Sequence, residues 1–129
     1  MQGFPRGLDW RTMKQILIAD DSASVADALA ACLHGYYAVI VTHGSAEALA
    51  RANALSSCDL LVTDYLMPQM DGAELAERVR ALHPGAKVLL LTGLGDDLQL
   101  DHDPSDARLT KPFGPQELRE AVASLIGPP

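Results

Sequence analysis

The sequence predicts an α/β domain built on a doubly wound, five-stranded parallel sheet. Three observations carry that expectation. Short apolar runs recur at residues 16–19, 37–41, 60–62 and 88–91, with a weaker fifth run at 107–110 and helical spacing between most of them. The runs are nearly continuous rather than alternating, as in strands buried on both faces by flanking helices. Finally, polar residues follow four of the five runs: Asp20 and Asp21 the first, Asp64 the third, Thr92 the fourth and Lys111 the fifth.

Each element has its own signal. After the first strand, Val25, Ala28, Leu29 and Cys32 recur at helical spacing, and Gly35 can close that helix. After the second, Ser45 is placed to cap a helix carrying Leu49, Ala52 and Leu55. After the third, Asp71 and Glu74 form a capping-box pattern ahead of a stripe of Leu75, Val79 and Leu82. Pro115 suits the first turn of a last helix, with Leu118, Val122 and Leu125 on one face and Gly127 after it. The interval between Thr92 and Lys111 breaks the rhythm. It holds Asp96, Asp97, Asp101, Asp103, Asp106 and Pro104, and only Leu94, Leu98 and Leu100 hint at a helix. A short or irregular fourth helix is expected there, in a solvated acidic stretch. Residues 1–13 have no periodicity and read as a flexible leader; residues 14–127 read as the domain.

Five strand–helix units in 129 residues fit the flavodoxin-like doubly wound fold, strand order 2-1-3-4-5. Right-handed crossovers then bring the carboxyl ends of strands 1, 3, 4 and 5 to one edge. Asp20, Asp21, Asp64, Thr92 and Lys111 would meet there. Crowded carboxylates are costly unless a cation is held among them.

Composition narrows the function. The length suffices for one domain with its own core. A net charge of −7 argues against nucleic acid or an anionic membrane as a direct ligand. No stretch is long and apolar enough to be a signal peptide or a membrane span. Cys32 and Cys58 read as core or near-core residues of a reduced, cytoplasmic chain. His34, His43, His83 and His102 lack ligand spacing and read as surface or capping residues.

A carboxylate can attack phosphorus to form an acyl phosphate once the phosphoryl charge is neutralised. Mg²⁺ suits that task, taking one or two carboxylates, waters and a phosphoryl oxygen. Asp64 and Asp21 serve as direct ligands in this reading, with Asp20 acting through water. Lys111 offers a point charge to the phosphoryl group and Thr92 a hydroxyl.

The stretches ILIADD (16–21), LLVTDYLMPQMDG (60–72), VLLLTG (88–93) and LTKPF (109–113) resemble the receiver domains of two-component response regulators. The resemblance implies that Asp64 is the phospho-acceptor and that Asp20, Asp21, Asp64 and the backbone carbonyl of Leu66 hold Mg²⁺, with Mn²⁺ able to substitute. It implies that Thr92 is the switch hydroxyl, that Lys111 contacts the phosphoryl group, and that the Lys111–Pro112 bond is cis. The partners implied are a histidine kinase or histidine phosphotransfer protein and a downstream protein, without nucleic acid or membrane. Such a protein catalyses only its own phosphorylation and dephosphorylation. A stand-alone regulator is the simplest reading; a receiver of a hybrid kinase is the other. In receivers the residues two after the acceptor and two after the switch hydroxyl border the path of the hydrolytic water. Here they are Leu66 and Leu94.

The chain departs from the pattern in two ways. Arg108 stands where receivers usually carry Tyr or Phe, and the Thr92–Lys111 interval is short. The alternative reading is therefore a phosphorylation-independent binding module. An aspartyl phosphatase would want a second Asp at position 66, and a flavin-binding protein would not place Asp20-Asp21 in its first loop.

Overall fold

The computed structural model describes residues 12–94 and 97–129. Five strands form one parallel sheet, in the order β2-β1-β3-β4-β5. They are β1 (Gln15–Ala19), β2 (Ala38–Thr42), β3 (Leu60–Asp64), β4 (Lys87–Thr92) and β5 (Ala107–Thr110). Among the described residues, four helices cover it: α1 (Ala23–Leu33), α2 (Ser45–Ala54), α3 (Gly72–Leu82) and α4 (Pro115–Ile126). The expected leader lies outside the described residues over positions 1–11, and Met13 is already buried. Among the described residues, no helix is long and apolar enough to cross a membrane.

Side chains alternate across the sheet and feed two cores. Ile16, Ile18, Leu60, Val62, Leu89 and Leu91 pack with α1 and α4 through Leu29, Leu33, Leu118 and Val122. Leu17, Ala19, Leu61 and Val88 pack with α2 and α3 through Ala48, Ala52, Leu75 and Val79. Both faces are buried, so the strands need no polar alternation.

Some local details differ from the sequence expectation. Helix α1 buries Ala26, Leu29 and Leu33, while Val25 is exposed; small alanines on several faces leave the apolar stripe ambiguous in phase. Gly44, not Ser45, occupies the N-cap of α2. The Ser45 hydroxyl instead donates to the Pro68 carbonyl at 3.1 Å, tying α2 to the loop after β3. The Asp71 cap is present, its carboxylate accepting from the Glu74 amide at 2.9 Å. His34 and His83 lie at helix C-caps, and His83 Nε2 donates to the Ala52 carbonyl at 2.8 Å. Cys58 is buried and Cys32 half-buried, both free thiols; burial pushes the Cys58 thiol up to about 11.

The crossover from β4 to β5 is irregular. Among its described residues there is no α-helix. Two arginines hold this segment. Arg80 of α3 donates to the Pro104 carbonyl and to Asp106, both at 2.7 Å, and Asp106 also accepts from the Val88 amide at 2.8 Å. Arg108 of β5 clasps Asp103 through Nε at 3.1 Å and a terminal nitrogen at 2.7 Å. Its other terminal nitrogen donates to the Leu98 carbonyl, and the Leu98 side chain is buried.

Candidate functional site

Strand pairing assembles the site. Ala19 lies opposite Thr63, so the chain leaves β1 at Asp20 beside the end of β3 at Asp64. Carboxylate oxygens of Asp20, Asp21 and Asp64 lie within 4.8 Å of one another. On the other side of β3, Asp64 pairs with Leu91 of β4, and Thr92 pairs with Thr110 of β5. The Lys111 amide donates to the Thr92 carbonyl at 2.9 Å, extending the ladder past the strand end. From there the Lys111 ammonium donates to Asp64 Oδ1 at 2.9 Å. The Lys111–Pro112 peptide is cis.

The three carboxylates are not equivalent. Asp21 is exposed, whereas Asp20 is 1% exposed. One Asp20 oxygen accepts from the Ser22 amide at 2.9 Å. The other, Oδ2, is buried without a hydrogen-bond partner. Burial holds the Asp20 carboxyl above its ordinary range; the charges on Asp64 and Asp21 add to that, against the Ser22 amide and Lys111. An orphaned buried oxygen within a cluster of carboxylates is the donor set of a hard dication, and Mg²⁺ fits it.

Asp20 thus bears a cost that is chiefly one of burial, with the neighbouring negative charges adding to it. Its raised folded-state pKa means the folded protein binds that proton more tightly than the unfolded chain. The resulting stability is present in acid and is lost as pH rises from the ordinary value of 3.8 through the raised one. Asp20→Asn removes the charge and keeps the oxygen facing Ser22. In EDTA at pH 7 it should stabilise the protein by about 1 kcal/mol, on the scale of ordinary point substitutions. The gain should shrink as pH falls through that window. Thermal midpoints of both proteins across pH check this, and a lower midpoint for the variant at pH 7 would contradict it.

Thr92 is buried at the end of β4, and its hydroxyl accepts from the Leu94 amide at 3.0 Å. Leu66 and Leu94 both expose their side chains, at 68% and 48%, on the loops that follow β3 and β4.

Three residues important to this arrangement were given no role of their own by the sequence. A Cβ at Gly72 would sit 2.3 Å from the Asp64 backbone oxygen, so glycine lets α3 start against the end of β3. Arg80 and Arg108 hold the crossover through partners distant in sequence. Gly72 had stood out as part of a motif and Arg108 as a departure from a pattern.

The family description "Response regulator receiver domain" matches residues 16–123. The chain belongs to that family. It is similar to the response regulator receiver protein CpdR of Brucella abortus, at 36% identity over 121 residues, covering 88% of this chain and 98% of that one. It is also similar to the sensor kinase CckA of that organism, at 30% identity over 115 residues, covering 86% of this chain but 12% of the kinase. A CheY-like receiver domain from Methanospirillum hungatei has a TM-score of 0.76 and 28% identity, covering 88% of this chain and 93% of that one. The response regulator TrrA of Thermotoga maritima, solved in complex with Mg²⁺ and BeF, has a TM-score of 0.76 and 30% identity, covering 88% and 99%. The chain is thus a receiver domain of two-component signalling, a signalling module rather than a turnover enzyme.

Proposed function

We propose that this receiver accepts a phosphoryl group on Asp64 from a histidine kinase or histidine phosphotransfer protein and changes conformation in response. The observation that carries this reading is the Lys111–Asp64 ion pair set inside a cluster of three carboxylates. A binding module that never met a phosphoryl group would have no use for so costly an arrangement.

An Asp64 carboxylate oxygen bonds to phosphorus as the phosphorus–nitrogen bond of the donor breaks, and the electron pair leaves with the imidazole. Lys111 meets a phosphoryl oxygen as a point charge, exchanging its present bond to Asp64 for one to the transferred group. Thr92 donates its hydroxyl to another. Asp20, Asp21, Asp64 and the Leu66 carbonyl hold Mg²⁺, or Mn²⁺ in its place. When bound, the metal neutralises charge on the transferring group. Support for the metal comes from the orphaned Asp20 oxygen and from the Mg²⁺ in the similar TrrA structure.

A shallow apolar groove of about 470 Å³ opens beside Lys111, between Val25, Ala28 and Cys32 of α1 and Pro112 and Phe113. Its continuity with the site suits a helix of the phosphohistidine donor. The signalling step would take place in the cytoplasm, with a downstream protein as target. To test the function, a kinase labelled on its histidine is mixed with the protein. Label should pass to wild type and not to Asp64→Asn; equal labelling of the variant would refute the assignment.

A further inference from the structure

A series of hydrogen bonds leads along the chain from the site toward the Arg108 clasp. The Thr92 hydroxyl accepts from the Leu94 amide at 3.0 Å. The Leu94 carbonyl accepts from the Asp97 amide at 3.0 Å. The next residue, Leu98, is plugged into the protein and its carbonyl is held by Arg108. The same guanidinium is bound by Asp103, which Ser105 orients through its amide at 2.9 Å.

Those two ends make conflicting demands once the site is loaded. A Thr92 hydroxyl that donates to a phosphoryl group on Asp64 shifts toward it. The Leu94 amide must then follow or let go, and either outcome disturbs the bond between the Leu94 carbonyl and the Asp97 amide, one residue before Leu98. The Leu98 carbonyl, however, is fixed to Arg108 on the neighbouring strand. We propose that Arg108 is the read-out residue of this receiver: its clasp on Asp103 and the Leu98 carbonyl holds the β4–β5 crossover in the unloaded arrangement, and it opens when Asp64 carries a phosphoryl group. This rests on Asp64 being the acceptor.

Magnitudes allow it. The Arg108 and Asp103 side chains are 24% and 32% exposed, so water can take over their bonds when the clasp opens. A partly exposed pair of this kind is weak enough for a bound ligand to break and strong enough to bias the equilibrium. Burial raises the Asp103 carboxyl, but bonds from Ser105 and Arg108 outweigh it and leave the group below its ordinary range; the clasp is therefore charged at neutral pH. The fork geometry matters, because lysine keeps the charge but cannot hold Asp103 and the Leu98 carbonyl together.

Coupling is reciprocal, so loading that opens the clasp implies that breaking the clasp favours loading. The test uses the full chain with beryllofluoride and Mg²⁺ as phosphoryl mimic, and reads amide hydrogen exchange over residues 97–106 together with mimic affinity. In wild type, exchange in the crossover should rise severalfold on loading. In Arg108→Lys and in Asp103→Asn it should already be fast without the mimic, and both should bind the mimic about fivefold more tightly. Arg80→Lys, which frees the far end of the crossover, should leave that affinity at the wild-type value. Wild-type exchange that ignores loading, clasp variants that bind no more tightly, or an equal gain in Arg80→Lys would overturn the proposal. Mimic that binds wild type but shows none of this coupling defeats the clasp alone; failure of wild type to bind it defeats the acceptor reading as well.

Discussion

Phosphorylated protein should lose its phosphoryl group slowly, and either Leu66→Asn or Leu94→Glu should speed that loss by about tenfold. Hydrolysis requires a water in line with the acyl phosphate oxygen. Pairing of Asp64 with Leu91 sets the loops after β3 and β4 side by side, and each presents a leucine to solvent two residues beyond the site. Leucine cannot orient a water, and a water held against one gives up partners it had in bulk. A tenfold change corresponds to ~1.4 kcal/mol in the barrier, a modest return for one well-placed hydrogen bond. The rate is followed on purified phosphoprotein. Polar substitutions that leave it unchanged, or slow it, would show that the leucines do not shield the bond.

Gly72→Ala should be the most damaging single-methyl change at the site. Its Cβ would lie 2.3 Å from the Asp64 backbone oxygen and 3.0 Å from both the Leu90 side chain and the Tyr65 Cα. Two of those neighbours are backbone and cannot turn aside. Alanine is the better helix former by about 1 kcal/mol, but overpacking a site with no slack costs ~1–3 kcal/mol. A contact this short belongs at the upper end, so the clash prevails. Relief requires α3 or the Asp64 backbone to move, and a shift of about 1 Å in a reacting group can cost on the order of 100-fold in rate. The variant should melt lower and phosphorylate far more slowly. A variant that melts lower but phosphorylates at the wild-type rate would mean that the site does not depend on this contact.

The central strands were legible in sequence because parallel strands buried on both faces have a plain signature, and the runs at 16–19, 60–62 and 88–91 all lie in strands. The site was legible for a related reason: its polar residues each end a strand, and strand order alone brings Asp20, Asp21, Asp64 and Lys111 together. What escaped was set by contacts distant along the chain. Nothing local distinguishes Ser45 as an N-cap from Ser45 as a donor to Pro68. Arg80 finds Asp106, and Arg108 finds Asp103 and Leu98, through a crossover whose path has no periodicity. Gly72 was visible as part of a motif, yet its reason is the approach of another strand's carbonyl. Burial separated Asp20 from Asp21, two identical letters side by side, only once the chain was folded.

The account stands on Asp64, and intact mass tests it most directly. Wild-type protein incubated with a small phosphodonor and Mg²⁺ should gain the mass of one phosphoryl group, and should gain none in EDTA or as Asp64→Asn. An adduct that persists in Asp64→Asn, or forms equally well in EDTA, would contradict it.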